Sequence, residues 1–302
     1  MGHDHAHETT EHSLGRAFAL GIGLNITFVL VEVVFGVLAH STALVADAVH
    51  NASDVLGLGL AWGAATLARR RPSLRHTYGL RAGTVLAALA NAVFLLVALG
   101  GVSWEAIERL ADPGPVEGVT VIVVAAVGVV INAASAMLFV RDQKGDTNVR
   151  AAFMHLAADA GVSLGVVISG AVILKTGWNW LDPAVSLGVS LLILVGTWGL
   201  LREALHLALA GVPESVSMVA VQDFLQSLAG VVEVHDLHIW PVGTTEIALT
   251  AHLVLPWTEH PPSFLQTLEH ELHERFGVGH ATVQLEPQEE GRSCRLAPSD
   301  VI

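Results

Sequence analysis

Six stretches of this chain are too long and too apolar to belong to an ordinary water-soluble domain. Three of them carry no charged side chain at all: residues 82–104, 119–140 and 183–201, of 23, 22 and 19 residues. A helix needs about 20 mostly apolar residues to cross the hydrocarbon core of a bilayer. Three further stretches are equally apolar but hold ionisable residues. They are 14–38 with Arg16 and Glu32, 44–67 with Asp47, His50 and Asp54, and 151–174 with His155 and Asp159. The pattern predicts a multi-pass α-helical membrane protein with six transmembrane helices. Composition agrees, since 14% of the residues are charged against about 25% in soluble domains. A disordered chain is excluded.

The single cysteine, Cys294, rules out an internal disulfide and a cysteine-rich zinc site. Net charge is −13 with histidine neutral. That balance argues against nucleic acid as a partner and suits attraction of cations. The first twelve residues are acidic and His-rich rather than basic, unlike a cleavable signal peptide.

Six crossings place both termini on one side. The connection after the second span holds Arg69, Arg70, Arg71, Arg75 and Arg81, and that after the fourth holds Arg141, Lys144 and Arg150. The opposite side offers Arg109 and Lys175. The excess of cations puts both termini in the cytoplasm and the spans in the cell membrane, in contact with lipid.

Beyond Leu209 the character changes. Gly211-Val212-Pro213 breaks the helix. Residues 215–228 read as an amphipathic helix, 231–240 and 246–255 as strands, 262–276 as a helix and 281–286 as a strand. The order αββαβ predicts a small α+β layer, of a size that oligomerisation often stabilises. The expected organisation is a flexible His-rich arm at 1–13, a membrane domain at 14–210, a cytoplasmic domain at 211–287 and a disordered tail at 288–302.

The chemistry lies in the second and fifth spans. His50 and Asp54 are four apart and share a helix face, with Asp47 one turn earlier. His155 and Asp159 repeat the spacing. Ionisable groups are expensive inside a membrane, face the bundle interior and mark ion paths. If the two spans are neighbours, two imidazoles and two carboxylates converge as an N₂O₂ set suited to tetrahedral Zn²⁺. Hard Mg²⁺ or Ca²⁺ wants more oxygens. The competing reading is a pair of His–Asp hydrogen bonds that join helices. Repetition of the spacing on two spans, with no Lys or Arg beside it, favours the metal.

These residues sit in stretches with a family resemblance. LNITFVLVEVVFGVLAHSTALVADAVHNASDVLGL (24–58), RHTYGLRAGTVLAALANA (75–92), AAFMHLAADAGVSLGVV (151–167), WLDPAVSLGVSLLIL (180–194) and VHDLHIW (234–240) resemble the cation diffusion facilitator family, in its bacterial zinc-exporting branch. The resemblance spans 14–286. It implies a homodimer with six helices per protomer and a cytoplasmic ferredoxin-like domain similar to a metallochaperone. It implies exchange of a cytoplasmic divalent metal for external protons. By position, His50, Asp54, His155 and Asp159 match the family's transport site, whose His/Asp form is associated with Zn²⁺, with Cd²⁺ tolerated.

The resemblance also bears on secondary positions. Asp47 is read either as a carboxylate of the ion path, just behind the ligands, or as a hydrogen bond to a neighbouring helix. Glu32 is a proton-path candidate, and Asn25, Asn91 and Asn132 are read as interhelical hydrogen bonds. His76 is retained from a loop site of some relatives, but Leu80 and Thr84 replace its companions, so a full loop site is not expected. In the soluble domain His235 and His252 match zinc-binding positions, and Gln284 and Glu286 alternate onto one face of the last strand. His235, His252 and Glu286, with His238 and His280 nearby, form a weakened candidate site, because Gln is a poor zinc ligand. The rival reading is a polar dimer interface. The His-rich arm, His3 to His7 with His12, is read as a weak metal collector. His270 and His273 are three apart, one short of the metalloprotease spacing.

The expected function is therefore export of Zn²⁺ in exchange for protons. Protons compete for the same ligands, because a ligating imidazole must be neutral and a carboxylate ionised. Two-state alternating access then suffices. Other readings are the same fold moving chiefly Cd²⁺, Co²⁺ or Fe²⁺, an intramembrane metalloenzyme, or a membrane metal sensor. Four convergent ligands and no adjacent general base count against an enzyme. No signalling module is expected after the soluble domain.

Overall fold

The structure is a computed structural model and describes residue 23 and residues 25–140, 147–256 and 263–288. The expectations for the arm at 1–13, for the beginning of the first span and for the tail from 289 onward lie outside these residues.

The first span is described as helix α1 (Asn25–Leu38). It is followed by α2 (Thr42–Ala68), α3 (Gly83–Ala111), α4 (Gly118–Phe139), α5 (Thr147–Thr176) and α6 (Leu181–Ala208). Helices α3 to α6 are each long and apolar enough to cross a membrane. Helix α2 has 27 residues, about 40 Å at a rise of 1.5 Å per residue. Its Asp47, His50 and Asp54 lower its hydropathy. Several helices outrun their apolar stretches. Thus α3 continues seven residues past Trp104, to Ala111, through Glu105, Glu108 and Arg109.

Two compact units emerge, one made of residues up to Gly59 with Asn91–Gly199, the other of Leu60–Ala90 with residues from Leu200 on. In the first unit, α2 is the central element. Leu44, with Ala39 and Ala43 just before and at its start, packs on Val121, Val124 and Ala125 of α4 and Val166 of α5. Ala46 packs with Leu95, Leu99 and Val102 of α3 and Val189 and Ile193 of α6. These small residues let neighbouring helices approach closely. Large apolar side chains such as Val97, Val130, Leu138 and Val195 point outward, as lipid-facing residues do.

The start of α2 is built with care. His40 takes a left-handed conformation and turns the chain out of α1. Asp182, at the start of α6, then accepts from Ser41 Oγ at 2.5 Å, Thr42 N at 2.6 Å and Thr42 Oγ1 at 2.9 Å. A helix start leaves several N–H groups without partners, and here a carboxylate from another helix takes them up.

The second unit contains the sheet. Helix α7 (Met218–Gln226), strands β1 (Glu233–Pro241) and β2 (Ile247–Leu255), helix α8 (Phe264–Phe276) and strand β3 (Val278–Pro287) follow in the order read from sequence. Strand order is β1-β2-β3, with β1 antiparallel and β3 parallel to β2. Strand β3 begins earlier than expected, because Gly277, in a left-handed conformation, ends α8 and passes straight into the strand. Val221 and Leu225 of α7 and Leu268 and Leu272 of α8 cover the alternating Leu249, Ala251, Leu253 and Leu255 of β2.

Candidate metal centres

The His-x-x-x-Asp pairs of α2 and α5 meet crosswise. His50 Nε2 lies 3.1 Å from Asp159 Oδ1, and His155 Nε2 lies 3.2 Å from Asp54 Oδ2. Within each helix the contacts are longer, 3.9 Å for His50–Asp54 and 3.6 Å for His155–Asp159. The two rings stand edge to face with centroids 5.9 Å apart. With bonds of about 2.0–2.1 Å, the edge of a tetrahedron around Zn²⁺ is about 3.3 Å. The four N···O distances bracket that length. Donor atoms of His50, His155 and Asp159 all lie within 4.8 Å of one another, and Asp54 contacts both imidazoles.

The cluster is graded in exposure. Side chains of Asp159 and His50 are 6% and 14% exposed, while those of Asp54 and His155 are 35% and 50% exposed. One His–Asp pair is thus closed off and the other more open.

Behind the cluster, Asp47 is fully buried and accepts from Ser163 Oγ of α5 at 2.8 Å. Asn51 donates to Glu32 Oε2 of α1 at 2.9 Å, and Glu32 is also fully buried. The Glu32 and Asp47 carboxyl groups also face each other within hydrogen-bonding reach. Asn91 lies against Gly57 of α2, so close that a methyl group there would meet its amide at 2.8 Å. His76 sits exposed in the turn after α2, its backbone bonded to Ser73, and joins no donor group among the described residues.

A second cluster forms on the sheet. His235 of β1 and His252 of β2 are cross-strand partners with ring centroids 5.3 Å apart. Glu286 of β3 reaches both: Oε2 lies 3.3 Å from His235 Nε2 and Oε1 lies 3.1 Å from His252 Nδ1. Donor atoms of the three residues lie within 4.8 Å of one another. Gln284 donates to Glu286 Oε1 at 2.9 Å, which gives that position a holding task rather than a ligating one. His280 instead stacks edge-on against Tyr78.

Comparison with known proteins agrees with this architecture. The description "Cation efflux transmembrane domain" matches residues 19–207, and "Cation efflux protein, cytoplasmic domain" matches residues 213–288. The chain belongs to the cation efflux family. It is 36% identical to the zinc transporter ZitB of Escherichia coli, over 98% of this chain and 96% of that protein. It is 30% identical to the cadmium, cobalt and zinc/H(+)-K(+) antiporter of Bacillus subtilis, over 95% of this chain and 93% of that one. A solved structure, the metal-bound C-terminal domain of the CzcD transporter from Cuprividus metallidurans, matches 24% of this chain and 99% of its own, at 32% identity and a TM-score of 0.22. Family membership makes the chain a membrane transport protein rather than an enzyme, as expected from its sequence.

Sequence reasoning passed over four residues that the structure brings into play: Ser163, Asp182, Gln284 as a donor, and Asp236. Asp182 stands one residue before a Pro at the start of an uncharged span. It also lies in the family-like stretch 180–194.

Proposed function

We propose that the protein exports Zn²⁺, with Cd²⁺ tolerated, from the cytoplasm in exchange for external protons, using His50, Asp54, His155 and Asp159 as the intramembrane transport site. The observation that carries this reading is the crosswise pairing, with 3.1 Å and 3.2 Å contacts joining α2 to α5. The zinc and antiporter relatives support it. Two carboxylates neutralise the charge of a divalent substrate, which lowers the cost of holding it in a poorly polarisable site. Imidazole and carboxylate both lose metal when protonated, so a proton arriving from outside displaces the ion. Because the ligands come from two helices, a relative shift of α2 and α5 opens the set and weakens it.

On this reading residues 14–210 form the membrane domain, in contact with lipid of the cell membrane, and 211–287 the cytoplasmic domain. Both termini are cytoplasmic and the protein works as a homodimer. Asp47, tied to Ser163 of α5, holds the two helices in register behind the ligands. His235, His252 and Glu286 hold a second zinc ion in the cytoplasmic domain, supported by their shared donor geometry.

The test is flux in proteoliposomes. An imposed pH gradient is expected to drive Zn²⁺ uphill, and Asp159→Ala at matched incorporation to abolish the movement. Zinc flux indifferent to the gradient removes the antiport, and wild-type flux in Asp159→Ala removes the site. Parallel runs with Cd²⁺, Co²⁺ and Fe²⁺ rank the alternative substrates.

A further inference from the structure

Strand β1 is irregular at the cytoplasmic cluster. His235 pairs with His252 and His238 with Thr250, so two residues of β1, Asp236 and Leu237, face the single residue Ala251 of β2. This is a β-bulge, and bulges re-aim side chains beside functional sites. Asp236 occupies it with φ of 49°. Asp is among the few residues other than glycine that enter this left-handed region readily. In a regular strand, positions 235 and 236 would point to opposite faces. Here the Asp236 carboxylate comes round to the histidines. Its Oδ2 lies 3.3 Å from His252 Nε2 and its Oδ1 lies 2.9 Å from His238 Nε2.

The nitrogens are used in a consistent way. His252 faces Glu286 with Nδ1 and Asp236 with Nε2. His235 faces Glu286 with Nε2 and Glu233 with Nδ1, both at 3.3 Å. Each ring thus turns one nitrogen inward to the shared Glu286 and the other outward to a separate carboxylate. His235 is 8% exposed, yet neither of its nitrogens makes a hydrogen bond of ordinary geometry. A buried imidazole in that condition is costly unless something binds it. The donor set fits a divalent metal ion of the zinc class. Histidines that bind metal commonly give their second nitrogen to a carboxylate, which fixes the tautomer and the ring orientation.

We propose that Asp236 is the positioning residue of the cytoplasmic metal site: the bulge aims its carboxylate at His252 Nε2, so that Nδ1 is held ready for metal with His235 and Glu286. Asp236 does not touch the ion. Its second oxygen engages His238, which steadies the carboxylate from the other side. The inference rests on the proposed cytoplasmic site and specifies how this chain builds it. Gln284 supports Glu286 from β3 in the same way.

The experiment uses the full chain purified in detergent, carrying Asp159→Ala to silence the membrane site. Zinc affinity is measured by chelator competition, and Co²⁺ is added as a spectroscopic probe whose ligand-field bands report the donor set. Asp236→Ala and Asp236→Gly are each expected to weaken zinc binding about 10- to 100-fold without moving the Co²⁺ bands. Glu286→Gln, which alters a ligand, should weaken binding and move them. Glycine suits the left-handed position, so its loss of affinity cannot come from a strained backbone. Binding within about twofold of the parent in both Asp236 variants, far short of the loss such carboxylates give, overturns the proposal. So does a band shift like that of Glu286→Gln, which would make Asp236 a ligand. His252→Ala in the same background separates the two levels. If it leaves binding intact, the cytoplasmic site itself falls. If it removes binding while both Asp236 variants retain it, only the positioning role falls.

Discussion

A carboxylate in this protein does different work according to what faces it. Asp159 and Asp54 each face an imidazole from the other helix. Asp47 faces a hydroxyl and Glu32 an amide. Asp182 faces the beginning of a helix. Only the first arrangement assembles neutral nitrogen donors with anionic oxygen donors around one point. The identity of the donors sets the preference. His50→Asp would change the set from N₂O₂ to NO₃, and carboxylate is the harder ligand. Zn²⁺ transport should fall while Cd²⁺, tolerant of looser oxygen coordination, competes better. The exchange also replaces a group that titrates near neutral pH by a carboxylate, so the pH profile of zinc flux should change. Paired Zn²⁺ and Cd²⁺ flux, with outside pH varied from about 5.5 to 7.5 around the imidazole reference value, checks both. An unchanged metal ratio together with an unchanged profile would remove His50 from the ligand set.

At the scale of elements, α2 and α5 each carry half of the proposed transport ligands, so how each is held matters. The N-terminal end of α2 is held by Asp182 of α6, and Ser186 of α6 donates to Thr42 O at 3.0 Å. On α5 the fit is steric. A methyl group on Gly118 of α4 would sit 3.0 Å from the Gly170 carbonyl oxygen, so α4 and α5 run nearly backbone to backbone there. Asp182→Ala strips the acceptor from Ser41 and Thr42 together. Loss of a helix cap costs about 1 kcal/mol, and each buried donor left unpaired adds about 1–3 kcal/mol. With three donors released, the expected destabilisation is about 4 kcal/mol or more, with Asp182→Asn milder because one acceptor remains. Thermal unfolding in detergent, with hydrogen exchange followed at residues 42–45, reads it. Equal melting of wild type and Asp182→Ala would show that α2 is held by packing alone.

Across the whole molecule, the proposed chemistry divides between two donor clusters built differently, one on two helices and one on three strands. All four proposed transport ligands precede residue 160. A chain ending after Gly211 should therefore keep high-affinity zinc binding at the membrane site while dimerising less well. Calorimetric titration and light scattering on the purified truncation read the two properties separately. Disappearance of the membrane-site heat from a truncation that still holds its helices would place the chemistry in the wrong half of the molecule.

The amino-acid sequence alone determined that this is a membrane protein and singled out the residues proposed to carry its chemistry. Lipid tolerates so few ionisable side chains that those inside the apolar stretches stand out without a structure. The period of a helix then puts His50 with Asp54, and His155 with Asp159, on common faces. The order of elements in the soluble domain was legible for a similar reason, since the break at Gly211-Val212-Pro213 and the β-branched and apolar runs at 231–240 and 246–255 are local signals. What local periodicity cannot express is which faces meet. Only the tertiary structure decided that α2 lies against α5, so that each histidine takes its short contact from the carboxylate of the other helix. Asp182 as a cap for a helix some 140 residues away, and Asp236 turned across the sheet by one extra residue in β1, depend likewise on distant chain segments brought together by packing.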